Sequence, residues 1–574
     1  MENFKKIFIG DAWPYVNGDP HVGHFAGHLI PADIFARFNR LRGNDVLMVS
    51  GSDCYGTPIT VEADKRKMSP MELVNQYHPK ILNLLTDARI SYDLYTKTVT
   101  TNHSQVVQQL FLDLLSNGYI YKDYQLQYFS SRDNKFLPDR WVEGTCKYCS
   151  FQKARSDQCD NCGRVLSPGD LINPYSNLTD APVEFKQTQH YFLDLPKLQP
   201  MVEKYVESKK GVWKDWVYAE TLGWLQTGLQ ARAITRDLDW GVELPIDQIP
   251  GSMRLKSFEN KRIYVWMDAV TGYLSAAIEW SKLAGNEKWK EFWFDPQTEG
   301  FYFMGKDNLF FHTLLWPAQL IGASNAQQKY NLPHNVSVNA YLNLEGKKNS
   351  KSRKWYIDSI YLFSKYGSDR SRFYFGTTLP ETKDSDFTWI DFQTTINSEL
   401  VGNLGNFIHR TLTFINSKFD GTILNSEIDP EVQQKIENAF AITEKKIEQT
   451  KFVDALNEVM KLSKFGNKYF DENKPWLLAK TDQVKAQNVL FNCVNIINNL
   501  KMLISPWMPD AANRLNDLLN INEKITDEIN INNWKYKLLT NIHVNTQIIP
   551  LFEKVTDEDI EIEKNKLIES QENK

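Results

Sequence analysis

Three sets of residues in this chain have the types and spacing to do chemistry. His21-Val22-Gly23-His24 sets two imidazoles either side of a small residue. At the start of a helix, where N–H groups lack backbone partners, such a run suits a polyphosphate whose charge grows during displacement at phosphorus. The segment from Glu345 to Lys354 carries five cations (Lys347, Lys348, Lys351, Arg353, Lys354) among Gly, Ser and Asn. It reads as a mobile basic loop whose ammonium groups can follow moving phosphates as point charges. Taken singly, these two runs are equally a pair of surface histidines and a solvated loop. Cys146-x-x-Cys149 and Cys159-x-x-Cys162, nine residues apart, are the most specific signal. Two such knuckles supply four thiolates able to close a tetrahedral zinc site in a segment too polar to hold a core unaided. The alternatives are a pair of disulfides or a redox C-x-x-C.

The first motif needs an edge on which to sit. Lys6–Gly10 reads as a short buried strand, and Pro14, Asn17-Gly18 and Pro20 mark a loop. A helix is expected from near Gly23, kinked or restarted at Pro31 and stopped at Gly43. Asp45–Asp53 gives a second strand, closing a right-handed βαβ unit with Asp53 beside the first loop. Ligands bind outside the carboxyl ends of such strands, and a small Gly23 is expected to let a nucleotide approach the backbone. Further helices are expected from Gly56-Thr57-Pro58, from the cap Ser69-Pro-Met-Glu72, and over Gln105–Leu115 to a stop at Asn117-Gly118. An inserted domain carrying the cysteines follows. The sheet is expected to resume at Arg262–Tyr273 and at Phe301–Asp307, and Glu345-Gly346 predicts a hairpin-like turn at the basic loop. From about 397 the pattern is helical and reads as a bundle, ending in an acidic tail after Thr556.

Composition sets limits. With 574 residues, 42% hydrophobic and 13% aromatic, the chain has apolar residues for more than one core. A net charge of −5 excludes a uniformly basic nucleic-acid binder, so any such contact uses local patches. Six cysteines in this length argue against a secreted disulfide framework. No leader or membrane span is read, and a cytoplasmic location is expected.

The basic loop resembles the K-M-S-K-S loop of class I aminoacyl-tRNA synthetases, and His21-Val22-Gly23-His24 matches their H-I-G-H signature. Over roughly residues 6 to 553 the chain is similar to the methionyl-tRNA synthetase family. The resemblance implies an α/β fold with a Rossmann-like parallel-sheet catalytic domain, a zinc-knuckle insertion and an α-helical anticodon-binding bundle. The implied divisions are 1–118 and 263–336 for the halves of the catalytic domain, 119–262 for the insertion, 337–396 for the stem-contact region with the loop, and 397–574 for the bundle and tail. It implies ATP and phosphate binding by His21, Gly23, His24, Lys348, Ser350 and Lys351, with His21, His24, Lys348 and Lys351 catalytic.

By the same resemblance, methionine is held by Ala12, Trp13, Tyr15, Trp266, Ala269, Tyr273 and His312, with Asp53 on its ammonium. One structural Zn²⁺ would lie on Cys146, Cys149, Cys159 and Cys162, and Mg²⁺ would accompany ATP. A tRNA(Met) anticodon would meet Asn406, Arg410, Pro475 and Trp476, residue types that stack on and hydrogen-bond unpaired bases. A monomer is expected, since no C-terminal dimerisation module is recognised. The roughly 145 residues between Tyr119 and Ile263 leave little room for the editing domain of the isoleucine, valine and leucine enzymes. Four positions depart from the family pattern: Trp13, Tyr55, Val270 and Asn349. They keep one rival in view, a catalytically altered tRNA-binding paralogue, and the shared H-x-G-H run keeps another, a related nucleotidyltransferase.

Overall fold

The computed structural model describes residues 4–572 except 133, 138–140, 157–158, 160, 163–165, 167–168, 178, 350–353 and 522–532. Five parallel strands, β1 (Lys6–Asp11), β2 (Asp45–Ser52), β3 (Leu94–Lys97), β4 (Glu299–Gly305) and β5 (Asn335–Asn339), lie in the order β5-β4-β1-β2-β3. Side chains alternate between two cores, as a period of two requires. Ile7, Ile9, Met48 and Phe303 pack with the helices Ile30–Leu41 and Pro70–Asp87. Phe8, Leu47, Val49, Met304 and Val338 pack on the other face, with Thr101–Ser116 and Val265–Leu283. Burying each such side chain contributes about 1.5–3 kcal/mol, so a sheet covered on both faces is a rigid base for the loops at its carboxyl edge. Strand order reverses about β1, which makes the end of β1 the expected crevice.

The helix that starts at Val22 continues through Pro31. Its strain is absorbed one turn earlier, in a π-turn over Phe25–Leu29 where the Ile30 N–H donates to the Phe25 carbonyl. That bond takes the donor the Ala26 carbonyl would use in an α-helix, and Pro31, next in line, has none. The Asn339 amide at the end of β5 donates to the Ala26 carbonyl instead, at 3.1 Å. The helix then runs to Leu41, and Gly43 ends it at φ 83°.

The expected strand at Arg262–Tyr273 is not part of this sheet. Lys261–Ile263 pairs antiparallel with Thr235–Asp237, and the helix Val265–Leu283 begins at once. Ile263–Met267 is a short apolar run, and such a run is equally a strand or the first turn of a buried helix by periodicity. The expected strand at Phe301–Asp307 is β4. The insertion opens with a long antiparallel pair, Ile120–Ser130 on Glu184–Leu193, and its cysteine lobe has its own small core around Trp141, Val142, Cys146 and Leu171. Its helices Leu195–Glu207 and Asp215–Thr227 return to the second face of the central sheet through Leu198, Val202 and Val217.

The C-terminal bundle is built on Asn406–Phe419, Pro430–Glu448, Phe452–Asn473 and Gln483–Ile504. The acidic tail is helical over Asp557–Glu572 and docks through buried Glu563, which accepts from Tyr361 at 2.6 Å and Lys365 at 3.0 Å. Among the described residues no helix is long and apolar enough to cross a membrane.

Candidate active site and metal centre

The loops after β1 and β2 are joined backbone to backbone. The Asp53 N–H donates to the Pro14 carbonyl at 2.9 Å, and the Val16 N–H to the Asp53 carbonyl at 3.1 Å. His21 then caps the helix. Its Nδ1 accepts from the Gly23 N–H, and His24 Nδ1 accepts from the His21 N–H, both at 3.1 Å. A backbone N–H can only donate, so His21 Nδ1 is an acceptor in this cap; His24 Nδ1 accepts from the His21 N–H and also lies 3.3 Å from the His21 carbonyl. Gly23 serves this cap directly, since a Cβ there would come within 2.8 Å of the His21 ring. The room expected to admit a nucleotide is occupied by that ring.

The basic segment is a hairpin of Leu342–Leu344 on Lys347–Lys348, turned by Glu345 (φ 47°) and Gly346 (φ 73°). Two positive φ values match the type I′ turn that suits strand twist. Lys348 lies 4.8 Å above the Tyr341 ring, and Lys306, at the end of β4, covers the same ring at 3.8 Å while pairing with Asp384 at 2.8 Å. Ser350 and Lys351 lie outside the described residues. Just beyond, Asp358 pairs with His21 as an isolated bridge, so the segment leaves its loop beside the capped helix.

Ala12, Tyr273 and His312 are buried at the same edge. His312 Nδ1 lies 2.9 Å from the Asn308 carbonyl, which can only accept, so Nε2 is left to accept from the Tyr273 hydroxyl at 2.7 Å. Burial pushes the His312 pKa down to about 4, in keeping with a neutral ring. Ala269 lies one turn before Tyr273, and Trp266 stacks on Phe311 at 3.7 Å. Tyr15 is half-buried and bridges to Asp53. The Trp13 ring fills a slot between Gly51 of β2 and Gly272, beside His103.

Asp53 accepts from the Tyr55 N–H at 3.2 Å, and burial raises its pKa well above the usual carboxylate value. Asp268 is raised by burial and by the charge of Asp53, and neither of its oxygens has a hydrogen-bond partner. Its neighbour His103, with Nε2 3.9 Å away, is pushed down to about 3 by burial and is neutral. Two buried acids without a counter-charge call for a cation. Asp268 and His103 were not legible from spacing, because an acid in a first helical turn reads as ordinary dipole complement. Arg236 and Trp240 escaped for another reason: they come from the distant end of the insertion to line a small cleft with Tyr55 and Gly56. Tyr55 there packs against Trp240 with ring centroids 5.4 Å apart. Val270 is core.

The four cysteine Sγ atoms all lie within 4.8 Å of one another. Cys149 and Cys159 stand 3.5 Å apart, too far for a disulfide bond of about 2.05 Å and close to the sulfur spacing of a tetrahedral site with Zn–S of about 2.3 Å. The cluster can hold a metal ion, and four ligands close its shell. A hydrogen bond from Asn161 lowers the Cys149 thiol to about 6, while burial raises its neighbour Cys159 to about 11.

In the bundle, Arg410 lies over the Phe470 ring at 4.4 Å and pairs with Asp471 at 2.7 Å, and Phe470 stands 5.7 Å from Trp476. Trp476 is 38% exposed and Asn406 is exposed, while Pro475 is buried as the first residue of its helix.

Residues 7–412 match the family model for tRNA synthetases class I (M), and 422–571 match the anticodon binding domain of methionyl tRNA ligase. The chain is 42% identical over 535 residues to the methionine–tRNA ligase of Roseiflexus sp. (strain RS-1), spanning 91% of this chain and 88% of that one. It is 40% identical over 567 residues to that of Thermococcus kodakarensis, spanning 97% and 74%. The fold superposes on the Mycobacterium tuberculosis methionyl-tRNA synthetase in complex with methionyl-adenylate with a TM-score of 0.77, at 23% identity, covering 96% of this chain and all of the other.

Proposed function

The chain belongs to the methionyl-tRNA synthetases of class I, and on that premise we propose how its residues divide the work of activating methionine and loading it onto tRNA. In the first step a methionine carboxylate oxygen attacks the α-phosphorus of ATP, the bond to the β-phosphate breaks, and pyrophosphate leaves. In the second, the 3′-terminal ribose hydroxyl of tRNA attacks the activated carbonyl and AMP leaves.

The observation that carries this division is the reciprocal cap of His21 and His24 at the end of β1. It sets two imidazole rings and a helix N-terminus at one place for the phosphates, where negative charge builds in the transition state. Lys348 and Lys351 bring cations to the same phosphates, and Lys348 is held over Tyr341. Asp53 receives the substrate ammonium, which replaces a buried proton with a charge partner. Ala12, Trp13, Tyr15, Trp266, Ala269, Tyr273 and His312 surround the side chain, and a flexible thioether suits aromatic edges at roughly 0.3–1.5 kcal/mol per sulfur contact. These contacts orient; no covalent enzyme intermediate is required.

Cys146, Cys149, Cys159 and Cys162 would hold one structural zinc, which cross-links a lobe whose own core is small. Mg²⁺ accompanies the ATP. The face formed by Asn406, Arg410 and Trp476 offers a stacking and hydrogen-bonding surface for the anticodon of tRNA(Met). We assign the protein to the cytoplasm as a monomer, with the domain divisions given above. Purified protein with methionine, ATP and tRNA(Met) should form methionyl-tRNA; no charging of that tRNA would overturn the assignment.

A further inference from the structure

Behind His24 lies a buried pair that the reaction scheme has not used. Asp11, the last residue of β1, is fully buried, and its Oδ1 stands 2.8 Å from His28 Nδ1. A carboxylate only accepts, so His28 donates from Nδ1. The other oxygen, Oδ2, accepts from the Tyr92 hydroxyl. Both oxygens therefore have donors, and the His28 ring is fixed in plane and tautomer by a group anchored in the central sheet.

The position of His28 is also set by the backbone. It sits inside the π-turn Phe25–Leu29, whose stray Ala26 carbonyl is held by Asn339. π-Turns inside α-helices are frequent at functional sites. His28 lies within this one, and its ring meets the His24 ring at 82° with centroids 6.0 Å apart. His24 is thus held twice, at Nδ1 by the cap and on its ring by His28.

We propose that Asp11 and His28 are positioning residues that fix the His24 ring for adenylate formation. The chain of support runs from Tyr92 and Asp11 through His28 to His24, and only its last member faces the phosphates. A ring free to rock about its side-chain torsions would meet the phosphates over a wider cone, and misplacement of that order lowers the chemical step while leaving the amino-acid pocket as it was. The inference rests on the reading that His24 serves the phosphates.

Methionine-dependent ATP–pyrophosphate exchange on the intact protein tests it, with kcat and the KM for methionine measured separately. His28→Ala should lower kcat by about tenfold or more with the methionine KM changed less than about twofold, the pattern of an interaction that matters in the transition state. His28→Asn returns an amide N–H to Asp11 but not the ring that meets His24, so it should fold as the parent does and stay slow, and parent kcat in it would overturn the inference. The double variant Asp11→Ser/His28→Ala removes the stranded carboxylate, so it should fold while staying as slow as His28→Ala. Parent kcat in folded His28→Ala, or in the double variant, would overturn the inference and show the pair to be packing alone. A parent protein without exchange would instead fail the reading of the site itself.

Discussion

Trp13 and Gly51 share one space: the indole fills the volume where a Cβ on Gly51 would lie, and on its other side a Cβ on Gly272 would come within 2.7 Å of the ring. A departure from the family pattern at position 13 is therefore seated between two residues without side chains, one on β2 and one on the helix that carries Ala269 and Tyr273. On the proposed assignment of Ala269 and Tyr273, the ring is expected to form a wall of the amino-acid pocket. Trp13→Leu should open that wall, widening tolerance for longer thioether or azido analogues more than it changes methionine activation. The void should also lower stability by about 1–3 kcal/mol. Exchange assays with the analogues, beside urea unfolding, check both parts; unchanged selectivity would place the ring outside the pocket's reach.

Lys351→Ala should slow adenylate formation more than it weakens methionine binding, because a cation at the phosphates acts chiefly on charge that develops in the transition state. Single-turnover rates equal to those of the parent would contradict this. Restoring Met at Asn349 should change little, since the cations of the loop carry the charge.

Asp53 gives a pH dependence with a definite sign. Its carboxyl is raised by burial above the ordinary value of 3.8, so the folded protein holds a proton that the unfolded chain has lost, and stability falls as pH rises through that window. Methionine's ammonium needs the ionised form. Its binding should therefore tighten with rising pH, with proton release, and the stabilisation it confers should grow in the same direction. Thermal shifts with methionine across pH, for parent and Asp53→Asn, measure this; a shift that shrinks with rising pH in the parent would contradict it.

Metal analysis of protein purified without chelator should find one zinc per chain. Cys149→Ser should loosen the lobe, seen as faster proteolysis between 140 and 175, because ligand binding and folding of so small a unit are linked. Metal-free protein with an intact lobe would end this claim.

Trp476→Ala should weaken tRNA binding by about 1–3 kcal/mol, the usual worth of one base stacked on an aromatic ring. Methionine-dependent exchange should survive, since Trp476 is exposed and lies outside the core that the bundle shares with the central sheet. A parallel loss of exchange and charging would make Trp476 a core residue, against its exposure.

What the sequence made legible was whatever depends on local spacing. His21 and His24 cap one another because they lie three apart, Glu345-Gly346 turns because both adopt positive φ, and the cysteine knuckles meet because each pair is a two-residue loop. What escaped depends on partners distant in the chain. Lys261–Ile263 left the sheet for Thr235–Asp237, and Asp268 became an unpaired acid only because Asp53 and neutral His103 are its neighbours. The Asp11–His28 contact joins a strand end to a π-turn that Pro31 implies only once the course of the helix is known.

The central claim is that this chain activates methionine. ATP–pyrophosphate exchange measured in competition across the amino acids tests it most directly. The account predicts the highest specificity constant for methionine; a higher one for leucine, cysteine or valine would contradict the assignment while leaving the synthetase fold standing.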